Sequence, residues 1–445
     1  MQEYVDTQRP PVRLRATVFL LIIYVWWYFA TPFVRFPILG DIHFERILVA
    51  LIIAGIFLGG RITARPSPFN MLIPALYVWM LISFLLSPYR NIELAGDWLT
   101  EYWKVVVLYY LTIYSVRDRN DFYCLLVGIS CVSLLYQVHS WNDFLAGGSY
   151  VYQQGMKRMI GVWSGGGLGA PNAWGVMALY SIPFGVLVHN ITTNRRMKFA
   201  MRMLLALSGL SILFSGTRGA LVGLTFILMI YLGRWVLRPG VLISLGLLLS
   251  VGYALLPEEY KHRYSLILID DETELETASD VDAAESAQGR IEGLVDGWHL
   301  LLKRPVTGYG PGVSALARLE VRERPPVEDS LLQLHNLYGQ IMAELGVPGS
   351  LLFIGMIVVY FRKLTRAKIF AGMPGSQESD LAEFIKALRM LMLILLFYGL
   401  FTHSLYRYYW MLLFACHNIL VNVVGEGRNL TARRAGAAPH SGSRH

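Results

Sequence analysis

Charged residues are scarce in this sequence. Asp, Glu, Lys and Arg together make up 16% of its 445 residues, and apolar residues make up 55%. Because soluble globular proteins carry about 25% charged residues, this composition argues against an ordinary soluble protein. Long apolar stretches recur from one end of the chain to the other, so we expect one bundle of membrane-spanning helices and not a series of soluble domains.

Cysteine is also rare, and several sharp catalytic motifs are missing. The sequence has no G-x-x-x-x-G-K-[ST] nucleotide-binding loop and no H-E-x-x-H zinc pair. Asp280 and Asp282 form a D-x-D pattern, but it lies in a generic acidic run over residues 270–285, which we interpret as solvated. Neither a metal nor a cofactor is therefore expected. Three thiols inside apolar segments are predicted to be free packing groups: Cys124, Cys131 and Cys416.

Positive charge lies in short clusters between apolar segments. The net charge is +8, but clusters spaced in this way indicate membrane topology and not the continuous basic stripe of a nucleic-acid-binding protein, so no nucleic-acid partner is expected. The positive-inside rule predicts that both termini are cytoplasmic and that the number of spans is even. The clusters are Arg61 with Arg65, Arg117 with Arg119, Arg195 with Arg196 and Lys198, Arg234 with Arg238, the group of Arg362, Lys363, Arg366 and Lys368, and Arg428, Arg433 and Arg434.

Twelve apolar segments are predicted to be transmembrane helices. They predict an all-α polytopic membrane protein with about 12 transmembrane helices and one long, partly helical periplasmic loop. Helices one to nine fall in residues 1–256, the periplasmic loop in 257–333, helices ten to twelve in 334–424, and a disordered cytoplasmic tail in 425–445. The segments are 16–31, 47–60, 71–86, 98–116, 122–138, 172–188, 199–214, 219–236, 241–256, 334–361, 387–402 and 408–424.

Three residues at the predicted external face can carry chemistry. Arg218 begins a helix after a tight turn at residues 215–219, so Arg218 and the N–H groups of the helix start could bind phosphate; a snorkelling interfacial arginine explains it equally well. His335 begins the tenth span, either as a general base or as an ordinary interfacial histidine. Arg290 and Trp298 belong to an amphipathic segment over 290–302 that could lie on the membrane; an ordinary surface arginine and an interface tryptophan are the simpler interpretation.

Further polar residues have structural interpretations. Asn336, Gln340 and Glu344 form a polar stripe that descends into the membrane. A charged carboxylate at that depth costs about 2.5–3.5 kcal/mol, so Glu344 is predicted to be buried against another polar group. Glu101 and Lys104 are predicted to form an intrahelical ion pair. A cluster at the last external turn could line a sugar or phosphate entrance but is more typical of an aromatic interface belt: His403, Tyr406, Arg407 and Tyr408.

Taken together, these motifs resemble the O-antigen ligase superfamily, which also contains polysaccharide polymerases and some protein O-oligosaccharyltransferases. The most specific match is H-N, seven residues, then E-x-G-x-x-G, from His335 to Gly349. Residues 290–312 match an Arg with a Trp eight residues on, followed by P-x-x-G-x-G-x-G, and residues 215–219 match S-x-x-R-G. The P-N entry to a span ends at Asn172. The family often has Asp before that proline, whereas this chain has Ala170, so any role of that Asp does not carry over.

The resemblance implies a GT-C-like glycosyltransferase of the bacterial inner (cytoplasmic) membrane. Its donor would be a glycan on a polyprenyl (undecaprenyl) diphosphate in the outer leaflet, its acceptor a lipid A-core or a growing glycan, and its other partners membrane lipids. The transfer would be metal-independent and inverting. Under this resemblance His335 accepts the proton of the acceptor hydroxyl, and Arg218 and Arg290 bind the diphosphate by forked hydrogen bonds. The supporting residues would be Trp298, Asn336, Glu344 and Arg407.

Two functional alternatives stay open. A polymerase of lipid-linked polysaccharide repeat units uses the same motifs as a ligase. A polysaccharide transporter or flippase is the alternative from another class, and it would require a polar site near the bilayer midplane, such as Glu101, Lys104 and Glu344 facing one cavity. In a transferase, Arg218, Arg290 and His335 would instead converge at the outer mouth of the bundle.

Overall fold

The computed structural model is almost entirely helical. It describes residues 13–59, 65–162, 169–233, 257–265, 278–322, 334–371 and 379–436, with scattered positions between 238 and 254. The only strands in these ranges are β1 (Tyr150–Gln153) and β2 (Met156–Met159), an antiparallel hairpin that pairs Val151 with Arg158. The α-helices are α1 (Ala16–Ala30), α2 (Pro37–Asp41), α3 (Phe44–Leu58), α4 (Phe69–Leu85), α5 (Glu93–Ser115), α6 (Arg119–Leu145), α7 (Pro171–Ile191), α8 (Arg195–Phe214), α9 (Arg218–Leu232), α10 (Glu258–Ser265), α11 (Ala278–Lys303), α12 (Ser314–Ala317), α13 (Leu337–Ala371), α14 (Ser379–Tyr398) and α15 (Tyr408–Gly436).

The predicted apolar segments fold as helices. Eleven of the twelve coincide with helices of the structure, and most of the ninth, residues 241–256, lies outside the described residues. Among described helices, α6, α7, α8 and residues 337–367 of α13 are long and apolar enough to cross a membrane, while α1, α4 and α9 contain shorter apolar stretches. These helices indicate a membrane protein, and the number of twelve spans stays a prediction.

Two boundaries differ from the prediction. Helix α15 continues to Gly436, so the backbone of residues 425–436 is helical where disorder was predicted. The Leu, Ala and Arg residues of this stretch are good helix formers, which explains the continuation. In the long loop predicted over residues 257–333, α11 begins at Ala278, twelve residues before the predicted amphipathic segment, and therefore includes the end of the acidic run.

Helix α13 is broken at Gly346. This residue has φ +65° and ψ −164°, a backbone conformation open essentially to glycine alone, and Pro348 follows it. A proline in an intact helix would clash with the carbonyl four residues earlier, that of Glu344. The break removes the clash, and neighbouring segments bind the freed carbonyls: the N–H of Tyr309 donates to Ala343 at 2.9 Å, the N–H of Gly310 to Glu344 at 3.0 Å, and the indole of Trp79 to Leu345 at 2.8 Å.

Residues 305–312, here called the glycine loop, pack against the break inside the bundle. Val347 donates its N–H back to the carbonyl of Pro305 at 2.8 Å. A side chain at Gly308 would overlap the Glu344 backbone at about 2.5 Å, and one at Gly312 would overlap Trp98. The P-x-x-G-x-G-x-G pattern and the E-x-G-x-x-G pattern are therefore two halves of one interface between the glycine loop and α13.

Candidate functional site

Arg218 begins helix α9 at the turn of residues 215–219. Gly216 has φ +60°, so it adopts the left-handed conformation that lets α8 end and α9 begin within a few residues. Thr217 is extended and precedes the helix, and its hydroxyl donates to the carbonyl of Pro171 at 3.0 Å. The prediction that Arg218 begins a helix is thus confirmed, and Arg218 lies where the N–H groups of the first turn of α9 face outward along the helix axis.

Arg290 is carried by α11, which packs against the start of α13 through glycine. A Cβ at Gly293 would overlap the carbonyl of Leu334, and Gly297 and Gly339 meet backbone to backbone. This close approach turns the predicted apolar stripe of α11 outward. Leu301 is 7% exposed, whereas the other four stripe residues lie at the surface: Ile291, Leu294, Trp298 and Leu302. Whether this outward face contacts a membrane stays a prediction.

Arg218 and Arg290 converge beside Phe401, in the connection between α14 and α15. The guanidinium carbon of Arg290 lies 5.9 Å from the centre of the Phe401 ring, and a Cβ at Gly219 would lie 3.5 Å from the same ring. The two arginines are close enough for their charges to interact. Burial lowers the pKa of Arg290, yet a guanidinium stays protonated at neutral pH. Among the described carboxylates, none forms an ion pair with Arg290.

His335 lies just outside α13, two residues before its first residue, and not inside the tenth helix as predicted. The reason is Asn336, whose side-chain oxygen accepts from the N–H groups of Tyr338 and Gly339 at 3.0 Å each and so caps the helix. The amide nitrogen of Asn336 donates to the carbonyl of Arg290 at 3.4 Å. One side chain therefore fixes the start of α13 and ties the backbone of Arg290 to the residue next to His335.

The side chain of His335 is solvent-exposed and lies beside the tilted ring of a second histidine. Its ring centre lies 5.1 Å from that of His403, at an angle of 55°, and its backbone has φ +47°. The surrounding protein still desolvates the ring enough to lower the pKa of His335, and Arg290 and Arg318 lower it further. Burial, with His335 and Arg407 nearby, lowers the pKa of His403 to about 3. Both rings are therefore neutral at pH 7, and a neutral imidazole can accept a proton.

Glu344 is fully buried, and the polar group that it was predicted to need is the hydroxyl of Tyr406. The Tyr406 hydroxyl donates to the carboxylate and accepts from the N–H of Gly312 at 3.2 Å, while the Gln340 amide lies 3.5 Å from the same carboxylate oxygen. The burial of Glu344 against another polar group is confirmed. Tyr406 is 5% exposed, so the interface-belt interpretation is wrong for it, whereas Arg407 is exposed.

Glu101 and Lys104 form the predicted ion pair on α5, with 2.6 Å between the ammonium nitrogen and the carboxylate. Both side chains are exposed, and the partners of Glu344 are Tyr406 and Gln340. The three residues therefore do not form one polar site. In the described ranges, no group of three or more His, Cys, Asp or Glu side chains could hold a metal ion.

Sequence reasoning missed Arg158. Residues 139–170 connect the predicted transmembrane segments 122–138 and 172–188, and in the structure α6 continues into this connection to Leu145 and is followed by β1 and β2. Arg158 on β2 is 2% exposed and contacts both the P-N entry of α7 and the turn of residues 215–219. Met156-Lys-Arg-Met159 does not alternate between apolar and polar residues, and nothing in this sequence indicates which distant residues Arg158 meets.

Comparison with known proteins bears on the central part of the chain. Residues 203–354, about a third of the chain, match the family model described as O-antigen ligase. The matched stretch contains Arg218, Arg290 and His335 together with the glycine loop. The match confirms the resemblance to the O-antigen ligase superfamily that the motifs indicated. A search of curated proteins gave no match.

Proposed function

Given that residues 203–354 are similar to O-antigen ligases, which supports a membrane glycosyltransferase of the ligase or polymerase type, we propose that this protein transfers a glycan from undecaprenyl diphosphate to an acceptor hydroxyl. The transfer takes place at the periplasmic face of the bacterial inner membrane, with both termini in the cytoplasm. A lipid A-core acceptor makes the protein an O-antigen ligase. The proposal extends the family match to one donor, one side of the membrane and three named side chains.

The convergence of Arg218, Arg290 and His335 carries the proposal. These residues come from three separate stretches of sequence, yet Arg218 and Arg290 meet beside Phe401, and Asn336 ties the backbone of Arg290 to the residue next to His335. Two guanidinium groups lie close together here, and no described carboxylate forms an ion pair with Arg290. This arrangement favours an anionic ligand with several oxygens. A diphosphate has this chemistry, and a neutral imidazole stands at its edge.

The chemistry follows from the charges. His335 removes the proton of the acceptor hydroxyl as that oxygen attacks the anomeric carbon, while the bond from that carbon to the diphosphate oxygen breaks. Arg218 and Arg290 stabilise the negative charge that grows on the leaving diphosphate, so the step is metal-independent in this proposal. Because the acceptor attacks opposite the leaving group in a single displacement, the configuration at the sugar inverts.

An apolar cavity of about 380 Å³ gives the donor lipid a place beside this site. It begins at Leu301 on α11 and Tyr338, three residues from His335, and it continues along α13 past the break at Gly346 to Val358. Its lining is almost wholly apolar, which suits an isoprenoid chain. The diphosphate at Arg290 and the tail in this cavity would then lie on the same side of α11.

The alternatives predict different sites. A polymerase would use the same three residues with a glycan acceptor, so it differs only in what accepts the sugar. A transporter would need a polar cavity near the midplane, but Glu344 is hydrogen-bonded to Tyr406, and the Glu101–Lys104 pair lies at the surface. The cavity beside Leu301 and Tyr338 is apolar, and so is a second cavity beside Ile23 and Trp26. The transferase is therefore favoured.

Deletion of the gene, followed by analysis of carrier-linked and finished glycans, tests the proposal. Full-length chains left on the carrier support a ligase, single unpolymerised units support a polymerase, and unchanged glycans contradict both.

Complementation with His335→Ala, Arg218→Ala or Arg290→Ala should fail while the protein still inserts. Arg90→Ala, at an exposed arginine outside the site, is the matched control and should complement fully.

A further inference from the structure

Arg158 uses all of its hydrogen-bond donors inside the protein. Its Nε–H donates to the carbonyl of Ser215 at 2.9 Å. One terminal nitrogen lies 3.3 Å from the amide oxygens of both Gln153 and Gln154, and the other lies 3.0 Å from that of Asn172 and 3.5 Å from the hydroxyl of Thr217. An arginine has five N–H groups, and five acceptors surround this one. Arg158 could bind a phosphate only by giving up one of these bonds.

These contacts connect the P-N entry of α7 with the turn that precedes Arg218. The Thr217 hydroxyl donates to the carbonyl of Pro171 at 3.0 Å and lies 3.3 Å from the amide oxygen of Asn172. A Cβ at Gly175 would lie 2.8 Å from the Ser215 hydroxyl, so the two segments touch with no room for a side chain. The backbone on the N-terminal side of Arg218 is therefore held by a guanidinium that lies 57 residues away from Ser215 in sequence.

The charge of Arg158 adds to the effect of its hydrogen bonds. All five acceptors are neutral carbonyl, amide or hydroxyl oxygens, so none of them neutralises the guanidinium. Burial lowers the pKa of Arg158 to about 10, and the nearby charge of Arg218 contributes to the shift, but the group stays protonated at pH 7. A second positive charge thus stands behind Arg218 and strengthens the attraction of this turn for an anion.

We propose that Arg158 is a positioning residue, which clamps the turn of residues 215–219 to Asn172 and so holds Arg218 in the orientation that binds the donor diphosphate. The inference rests on the proposed function for the identity of the anion, and on the hydrogen bonds alone for the clamp. It explains why the P-N pattern and the S-x-x-R-G pattern occur in one chain, since Asn172 and Thr217 accept hydrogen bonds from the same guanidinium.

Binding of undecaprenyl diphosphate to the full chain in lipid nanodiscs tests the clamp, with undecaprenol as the uncharged probe. Arg158→Lys keeps the charge but cannot reach five acceptors, so it should weaken binding of the diphosphate about tenfold and leave undecaprenol binding unchanged. In the Arg218→Ala background, Arg158→Lys should cause no further loss, because the clamp acts through Arg218. Lys157→Ala is the control, since its ammonium lies over the rings of Phe144 and Tyr150 at 4.8 and 4.3 Å.

Amide hydrogen exchange separates the clamp from the identity of the ligand. Arg158→Lys should accelerate exchange across residues 213–219, and Lys157→Ala should not. If the unmodified protein binds undecaprenyl diphosphate no better than undecaprenol, the proposed function fails, and the exchange result alone decides the clamp. Unchanged exchange, or an equal loss of binding with and without Arg218, overturns the clamp. If Arg158→Lys does not fold, Asn172→Ala removes one acceptor and should give a smaller change in the same direction.

Discussion

His335 owes its position to its neighbour Asn336. By capping α13, Asn336 makes the helix begin at Leu337, two residues after His335, and the His335 side chain stays exposed to solvent. An imidazole inside the first turn would instead be constrained by the helix that follows. Asn336, predicted as a supporting residue, thus holds the start of α13 in place. Glu344, deeper in the bundle, accepts a hydrogen bond from Tyr406, which in turn accepts one from the glycine loop.

The pH profile of transfer reports on His335. Desolvation by the surrounding protein, together with Arg290 and Arg318, lowers the pKa of His335 from its usual 6.5, and His403 is the other titratable ring beside it. The neutral form is the base, so the acidic limb of kcat/KM should be centred below pH 6.5. An acidic limb centred above pH 6.5 would contradict this assignment, and His335→Gln should abolish transfer at every pH.

At the scale of elements, glycines decide where α11 lies. Gly293 and Gly297 let this helix approach α13 so closely that backbone meets backbone, which brings Arg290 to the mouth of the site. The broken helix α13 and the glycine loop form a second interface of this kind. Both devices depend on the absence of side chains, so small substitutions should have large effects.

A pair of alanine substitutions on α11 tests this packing. In Gly293→Ala the new methyl group would overlap the carbonyl of Leu334, whereas nothing lies within 4 Å of a methyl group at Gly289. We expect Gly293→Ala to destabilise the protein by about 1–3 kcal/mol and to abolish transfer, since α11 must move and carry Arg290 with it. Gly289→Ala should be neutral or slightly stabilising. The measurements are thermal unfolding in detergent and transfer activity; equal behaviour of the two variants would refute the argument.

At the scale of the whole molecule, the proposed function requires that the site face the periplasm. The β-hairpin precedes α7, and the basic cluster of Arg195, Arg196 and Lys198 follows it, so the positive-inside rule predicts opposite sides for the two ends of α7. Tyr152 on the hairpin is 70% exposed, and Thr193 before α8 is also exposed.

Cysteine labelling tests that orientation. In a variant without the three native cysteines, Tyr152→Cys should react with a membrane-impermeant maleimide in intact spheroplasts, and Thr193→Cys should react only after permeabilisation. The reverse pattern would put Arg218, Arg290 and His335 on the cytoplasmic side and would contradict a periplasmic transfer.

Much of the fold was predictable from the sequence because a bilayer is a selective solvent. A helix enters it when a window of about 20 residues is apolar enough, and that property is local, so the apolar segments matched helices and the short turn before Arg218 was found. The resemblance to the superfamily rested in the same way on short motifs, and the family match to residues 203–354 confirms it. The roles of Arg218, Arg290 and His335 stay predictions.

Only the tertiary structure decided how those motifs meet. The bond from Asn336 to the Arg290 carbonyl, the partners of the carbonyls freed at the Gly346 break, the inward place of the glycine loop and the clamp by Arg158 each depend on residues far away in sequence. Such contacts leave no periodic trace in the chain, because their energy arises when two distant surfaces fit. Local hydrophobicity therefore determined which segments became helices, and packing between them determined where the arginines and the histidine of the proposed site lie.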